Sequence, residues 1–316
     1  MGFYNLETKK ADGICLIKSI EEKTASSGNP YLDIVLGDKD NEIKAKVWGS
    51  DKLKETFEAF ELVKIRGTVD SFNGENQLKI ADIRHITEAD GVNVGDFVPC
   101  APFTGSEMLT YIESVIAEFT DDDYRKLVTD FINTNREKLL FWPAATKMHH
   151  AINGGLLYHT STMLKTAKAV YDIYNTGIYA GALNRDLLFT GVILHDFSKI
   201  EEIDSSDLGI ASDYTIKGNL LGHLVMGAME VDRRGRELGI PEEKLLLVEH
   251  MLVSHHGVPE WGACKKPEII EAELLSHIDM IDAKMYAAVD GIKDVETGTL
   301  SPKIFAVGNV PFYKHD

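Results

Sequence analysis

The residues best suited to chemistry sit in one short stretch, Gly191-Val192-Ile193-Leu194-His195-Asp196-Phe197-Ser198-Lys199. An apolar run delivers an imidazole and a carboxylate, and Lys199 follows Asp196 by about one helical turn. Placing His195 and Asp196 beside Val192, Ile193 and Leu194 is costly unless something compensates the charge, and a divalent cation would do so. The plain alternative for an isolated His-Asp pair is a helix end whose polar residues have reached water.

Other candidate ligands recur downstream in the same style. His159 falls early in a helical pattern (Gly154-Gly-Leu-Leu-Tyr-His159), and His223 closes Asn219-Leu-Leu-Gly-His223. His255 and His256 end a helix before Gly257, and Asp279 lies in Leu274-Leu-Ser-His-Ile-Asp279. Each comes from a different apolar helical stretch, so the polar ends can converge in a bundle core. Imidazoles with carboxylates suit Mn, Fe, Co, Ni or Zn better than calcium. His250 and His277 read as ordinary structural histidines. His149 and His150 stay outside the set, fitting a helix surface or a substrate-side role equally well.

Helices must position these groups. From Ser106 onward the pattern is helical almost throughout, with Thr104 or Ser106 as cap of a helix to about Phe119. Asp121 to Asp123 open another helix, to about Asn133. Further helices are expected over about 144–152, 155–175, 184–199, 219–238, 241–254 and 267–289, with a small hairpin within 201–217.

Residues 10–85 read differently, as short strands near 14–20, 31–36, 42–48, 62–69 and 77–83. Turns fall at 37–41 and at Asn73-Gly74, and a short helical piece is expected around 51–60. Three strands, a helix and two strands is the order of an OB-fold barrel. The pleat turns Leu32, Ile34, Leu36, Ile43, Ala45 and Val47 inward and leaves Tyr31, Lys44, Lys46 and Trp48 outside. Lysines among aromatics on such a surface suit single-stranded nucleic acid, whose bases stack and whose phosphates need cations. The alternative is that Trp48 packs against the rest of the protein and the lysines keep the edge soluble. The expected organisation is therefore multidomain: a β-barrel of OB type over 1–90, a Gly/Pro-rich linker over 91–105, and an all-α bundle over 106–316.

With 316 residues, the chain has material for about two domains. No apolar run reaches the length of a membrane span, and the N-terminal residues hold no apolar signal core, so a cytoplasmic protein is expected. Asn5 and Leu6 fit the myristoylation pattern poorly. Cys15, Cys100 and Cys264 are far apart and form no CxxC, so reduced thiols are expected and a thiolate zinc site is not. The net charge of −17 excludes a protein coated in cations for nucleic acid, though not a local basic surface. Residues 1–90 hold 13 Lys/Arg against 17 Asp/Glu, or −4, and the remainder 20 against 33, or −13. There is no GxxxxGK[ST] loop, no GxGxxG after a strand and no GxSxG elbow.

His159, then His195-Asp196, then Asp279, spread over separate helices, resemble the HD-domain phosphohydrolase superfamily. His223 and His255-His256 resemble its two-metal variants, and Lys199 matches the His-Asp-x-x-Lys form of HD phosphodiesterases. An OB-like domain ahead of an HD domain, in about this length, resembles the YhaM family of bacterial 3′→5′ exoribonucleases over nearly the whole chain. The resemblance implies His159, His195, Asp196 and Asp279 as core metal ligands. Asp196 would bridge to a second ion completed by His223 and His255 or His256. It also implies Asp196 and Lys199 as catalytic, Lys199 offsetting phosphoryl charge. The cofactor implied is one or two divalent transition ions, Mn²⁺ first, with Co, Fe, Ni or Zn as alternatives. Tyr31, Lys44, Lys46 and Trp48 would hold single-stranded RNA, or DNA, and the products would be nucleoside 5′-monophosphates. No membrane partner is expected, and nothing indicates a homo-oligomer.

Two other readings use the same residues. One is an HD enzyme acting on a free nucleotide or a cyclic dinucleotide. The Gly-Val-Pro after His256, in place of Gly-Tyr-Pro, weakens a match to the cyclic-di-GMP branch. The other is a non-catalytic single-strand-binding module with a degenerate helical domain, which the retention of every ligand segment disfavours.

Overall fold

The computed structural model describes all residues except Met1, Asp40, Asn73 and 147–149. The expected turn at Asn73, part of that at 37–41, the middle of the expected 144–152 helix and His149 therefore lie outside the described residues. The chain divides into two compact units, Met1–Cys100 with Ser206–Ile210, and Ala101–Ser205 with Ala211–Asp316.

The first unit is a closed barrel of OB topology. A two-residue strand β1 (Tyr4–Asn5) precedes β2 (Lys10–Thr24), β3 (Pro30–Gly37), β4 (Glu42–Trp48), β5 (Leu62–Phe72) and β6 (Glu75–His85). The long β2 pairs with β3 through its second half and with β5 through its first, while β4 pairs in parallel with β6, which closes the sheet. Closure leaves one continuous apolar interior, in which Ile34, Leu36, Ile43, Ala45 and Val47 meet Ile17, Val63, Ile65 and Leu78. A bulge in the β5–β6 ladder at Arg66/Gly67 bends the barrel wall. Only glycine fits there, because a Cβ on Gly67 would run into the Lys79 carbonyl.

The short helix expected around 51–60 is a correction. One 3₁₀ turn forms at Ser50–Lys52, and Leu53 then turns extended (φ −66, ψ 140). The four-residue spacing of Leu53 and Phe57 imitates a helix face, but both side chains pack on the barrel core. Of the stretch expected as a linker, Val92, Val94, Phe97 and Val98 pack on Leu16 and Leu62.

The second unit is a helical bundle around one large core. Its helices are α1 (Gly105–Ala117), α2 (Asp122–Leu139), α3 (Gly155–Tyr174), α4 (Arg185–Leu194), a single turn α5 (Lys199–Glu202), α6 (Ile216–Glu237), α7 (Glu242–Ser254) and α8 (Ile270–Ile292). A hairpin of β7 (Ile203–Ser205) and β8 (Ala211–Tyr214) lies between α5 and α6. Thr104 caps α1 reciprocally with Glu107, and the Asp121 side chain caps α2. Of the helix expected over 144–152, the described residues 144–146 and 150–152 form turns and bends instead. α4 runs through the middle and is buried from Asp186 to Leu194. Among the described residues, no helix is long and apolar enough to cross a membrane.

Candidate metal centre

The seven candidate ligands of the helical unit converge from five helices. α4 stops at Leu194 with His195 as its cap, and two tight turns follow: Phe197 N donates to Leu194 O at 3.1 Å and Lys199 N to Asp196 O at 3.0 Å. The helix expected over 184–199 is thus broken where it matters, and the break aims Asp196 and Lys199 at one point. α3 supplies His159 from its second turn, and α8 supplies Asp279. His255 caps α7, and His256 follows. α6 is interrupted at Gly222 (φ 71, ψ 158), a conformation open essentially to glycine alone, so the helix restarts at His223.

Four imidazoles share one orientation. His195 Nδ1 donates to Val192 O at 2.9 Å and His255 Nδ1 to Leu252 O at 2.7 Å. His159 Nδ1 donates to Asp282 Oδ2 at 2.7 Å and His223 Nδ1 to Glu202 Oε1 at 3.0 Å. With Nδ1 committed as donor, a neutral ring carries its lone pair on Nε2.

Those Nε2 atoms face the carboxylates. His159 Nε2 lies 3.5 Å from Asp196 Oδ2 and 3.4 Å from Asp279 Oδ1, and His195 Nε2 lies 3.4 Å from Asp196 Oδ2. On the other side of Asp196, Oδ1 lies 3.2 Å from His223 Nε2 and 3.7 Å from His255 Nε2. Asp196 therefore stands between two groups, one oxygen to each. His223, His255 and His256 form one potential cation-binding group, and His159, His195 and Asp196 another.

The residues fit a divalent cation. Asp196 Oδ1, His223 Nε2 and His255 Nε2 are buried with no hydrogen-bond partner. Unpaired buried polar atoms are costly, and these are acceptor atoms of the kinds that ligate transition ions. His159 Nε2 and His195 Nε2 also approach to 3.2 Å, a distance at which a proton or a cation must relieve two facing lone pairs.

Charge is distributed to suit. Burial pushes the Asp196 carboxyl up, but Lys199 and the imidazoles of His195 and His223 hold it well below the usual carboxylate range. Burial likewise opposes ionisation of Asp279, and its contact with His159 holds it down. His255 is pushed well below the ordinary imidazole value by burial and by His195 and His256. Burial lowers His159, yet its bonds to Asp279 and Asp282 prevail and raise it to about 10.

The HD domain family matches residues 156–284, the span from α3 to α8 that carries these candidate ligands. A 3′-5′ exoribonuclease YhaM of Bacillus subtilis (strain 168) is 37% identical over 307 residues, covering 97% of this chain and 95% of that one. This chain belongs to the YhaM family. A second YhaM member, from Oceanobacillus iheyensis (strain DSM 14371), is 38% identical and covers 96% of this chain and 93% of its own length. Among solved structures, the second OB-fold domain of replication protein A from Methanococcus maripaludis matches 26% of this chain and 93% of its own at 12% identity, with a TM-score of 0.22.

Three residues behind the centre of this YhaM-family chain escape a reading of its sequence. Asp282 holds His159, Glu202 holds His223, and His150 Nε2 donates to Asp282 Oδ2 at 2.8 Å. Asp282 had a usable signal, lying three residues after Asp279 on the same face of α8. Glu202 lies in a single-turn helix that shows no periodicity, and His150 lies outside any helix. Away from the centre, exposed His277 contacts Glu273 at 3.1 Å, and His250 Nε2 accepts from Glu268 N at 2.8 Å.

On the barrel, three of the four outward residues assemble. Tyr31 and Trp48 are register partners whose rings lie 4.8 Å apart, tilted by 32°. Lys46 Nζ lies 4.9 Å from the Tyr31 ring centre, 5.7 Å from that of Trp48 and 6.0 Å from that of Phe72. Trp48 and Phe72 are 47% and 64% exposed, and Phe72 was not foreseen. Lys44 differs, its ammonium paired with Glu75 at 2.8 Å.

Proposed function

We propose that this chain is a metal-dependent 3′→5′ exonuclease of single-stranded RNA, able to accept DNA, that releases nucleoside 5′-monophosphates. The observation that carries this reading is Asp196, one oxygen turned to each of two imidazole groups, with its Oδ1 buried and unpaired among lone pairs. Membership of the YhaM family supports it.

In this reading His159, His195, Asp196 and Asp279 hold a first ion. Asp196, His223 and His255 hold a second, with His256 beside them. Two divalent ions, Mn²⁺ in the first instance, would supply charge that draws in the scissile phosphate and acidity that makes hydroxide available near neutral pH. Lys199, 2.7 Å from Asp196 Oδ2, offsets charge on the phosphoryl oxygens as it builds. The fixed Nδ1 bonds hold the four rings ready, so little reorganisation is needed when substrate arrives. On the barrel, Tyr31, Trp48 and Phe72 offer stacking surfaces, and Lys46 meets a phosphate between them. Lys44 gives up Glu75 to join it.

Product analysis tests the reaction. Single-stranded RNA and DNA of one sequence, digested with Mn²⁺ and resolved by mass spectrometry, should yield nucleoside 5′-monophosphates. Release of 3′-phosphates or of short oligomers would overturn the exonuclease reading. Turnover of a cyclic dinucleotide with both strands left intact would move the case to a small-nucleotide substrate.

A further inference from the structure

We propose that two separate buried carboxylates act as positioning residues, one for each metal group: Asp282 for the group of His159 and Glu202 for the group of His223. The inference rests on the metal reading above and assigns roles to residues outside the ligand set.

The geometry of each is distinct. Asp282 Oδ2 accepts from His159 Nδ1 at 2.7 Å and from His150 Nε2 at 2.8 Å. Both rings and the carboxylate are buried. Asp282 is thus fixed from two sides: by α8, which also carries Asp279, and by His150. The His150 ring packs 4.1 Å from Tyr286 and 5.3 Å from Tyr158, ring centre to ring centre. Since one oxygen receives both bonds, His150 sets where Asp282 sits and Asp282 sets how His159 is turned.

Glu202 works through a different element. Its Oε1 accepts from both the backbone N–H and Nδ1 of His223, each at 3.0 Å. The backbone bond is available because Gly222 breaks α6, leaving the His223 N–H without the partner an unbroken helix would supply. The same carboxylate therefore orients the ring and satisfies the helix restart. Thr215 N donates to Glu202 O at 2.9 Å and ties this turn to the start of α6.

A carboxylate on the far nitrogen of a ligating imidazole fixes its tautomer and orientation and raises its basicity; losing it typically costs ten- to a hundredfold in metal affinity. The two carboxylates touch different rings, so their effects should separate by metal group. A purely structural role for either would lower affinity at both groups together, or at neither.

The experiment uses full-length protein stripped of metal and titrated with Mn²⁺, with free ion read by electron paramagnetic resonance. The His223→Ala background leaves the first group. There, Asp282→Ala should weaken the remaining site by roughly ten- to a hundredfold, and Glu202→Ala should leave it unchanged. In the His159→Ala background, which leaves the second group, the pattern should reverse. His150→Ala should weaken the first group alone and His150→Gln should restore it, because the amide can donate to Asp282 in place of Nε2. Circular dichroism of the metal-free proteins reports folding. Should Asp282→Ala not fold, Asp282→Asn carries the test, keeping the volume and one acceptor while removing the charge, and should weaken the first group several-fold. Equal effects of Asp282 and Glu202 in both backgrounds would overturn the assignment while leaving the metal reading intact. Absence of Mn²⁺ binding by the wild-type chain would overturn both.

Discussion

Lys199 Nζ stands 2.7 Å from Asp196 Oδ2, on the oxygen that faces His159 and His195, so a cation of the chain already balances part of the centre. Burial opposes the charge on Lys199, and Asp196 more than restores it, raising the ammonium above its ordinary value.

Replacing Lys199 by methionine should therefore separate binding from turnover. Mn²⁺ affinity should not fall, because a competing cation has been removed from Oδ2. The kcat should fall by about 10²-fold, the scale of losing one preorganised donor to a developing oxyanion. Steady-state kinetics beside an Mn²⁺ titration would check this, and a matched loss of affinity would make Lys199 a structural counter-ion instead.

Proton release should accompany metal binding. The His159 value of about 10 lies above the ordinary imidazole value of about 6.5. A raised value means that the protonated ring stabilises the metal-free fold fully below about pH 6.5, a contribution lost as pH rises through about 10. An ion must displace that proton, so Mn²⁺ affinity should rise from pH 6 to pH 8 by up to about tenfold per unit. Calorimetry in buffers of differing ionisation enthalpy measures the proton directly, and a pH-independent affinity would contradict the account.

Gly222→Ala should act on the second group. An alanine at φ 71 and ψ 158 is strained by about 1–3 kcal/mol, and its Cβ would meet only Glu202 Oε1, at 3.9 Å, so no clash adds to the strain, which relaxes by moving His223. The expected outcome is weakened second-ion binding, read by Mn²⁺ titration, with only a small loss in thermal stability.

Trp48→Ala should weaken binding of long single strands by about 1–3 kcal/mol, the worth of one stacked base, while sparing hydrolysis of bis(p-nitrophenyl) phosphate. Phe72→Ala should do the same to a lesser degree. A parallel loss of both activities would make Trp48 structural.

The sequence carries much of this because the strongest signals are periodic. Alternation at Leu32–Leu36 and Ile43–Val47 placed the barrel interior, and the caps at Thr104 and Asp121 marked helix starts. The seven candidate ligands stood out in the sequence because each is a polar group set in an apolar helical stretch. Residues 51–60 misled because an apolar pair four apart can plug a barrel as well as line a helix. Glu202, Asp282 and His150 were hidden for a related reason: their partners are 21, 123 and 132 residues away, and long-range pairing leaves no local pattern. The ion pair that takes up Lys44 is likewise set by strand pairing, which brings β4 beside β6.

In the proposed function, the Asp196 cluster shortens single strands from the 3′ end with the help of a divalent metal. The most direct measurement is a time course on 5′-labelled single-stranded RNA, with Mn²⁺, with EDTA, and with Asp196→Ala beside the wild type. The expected result is a ladder receding from the 3′ end with Mn²⁺, and intact RNA in the other two lanes. RNA left intact by the wild type despite bound Mn²⁺, or a ladder that persists in EDTA and in Asp196→Ala, would contradict it.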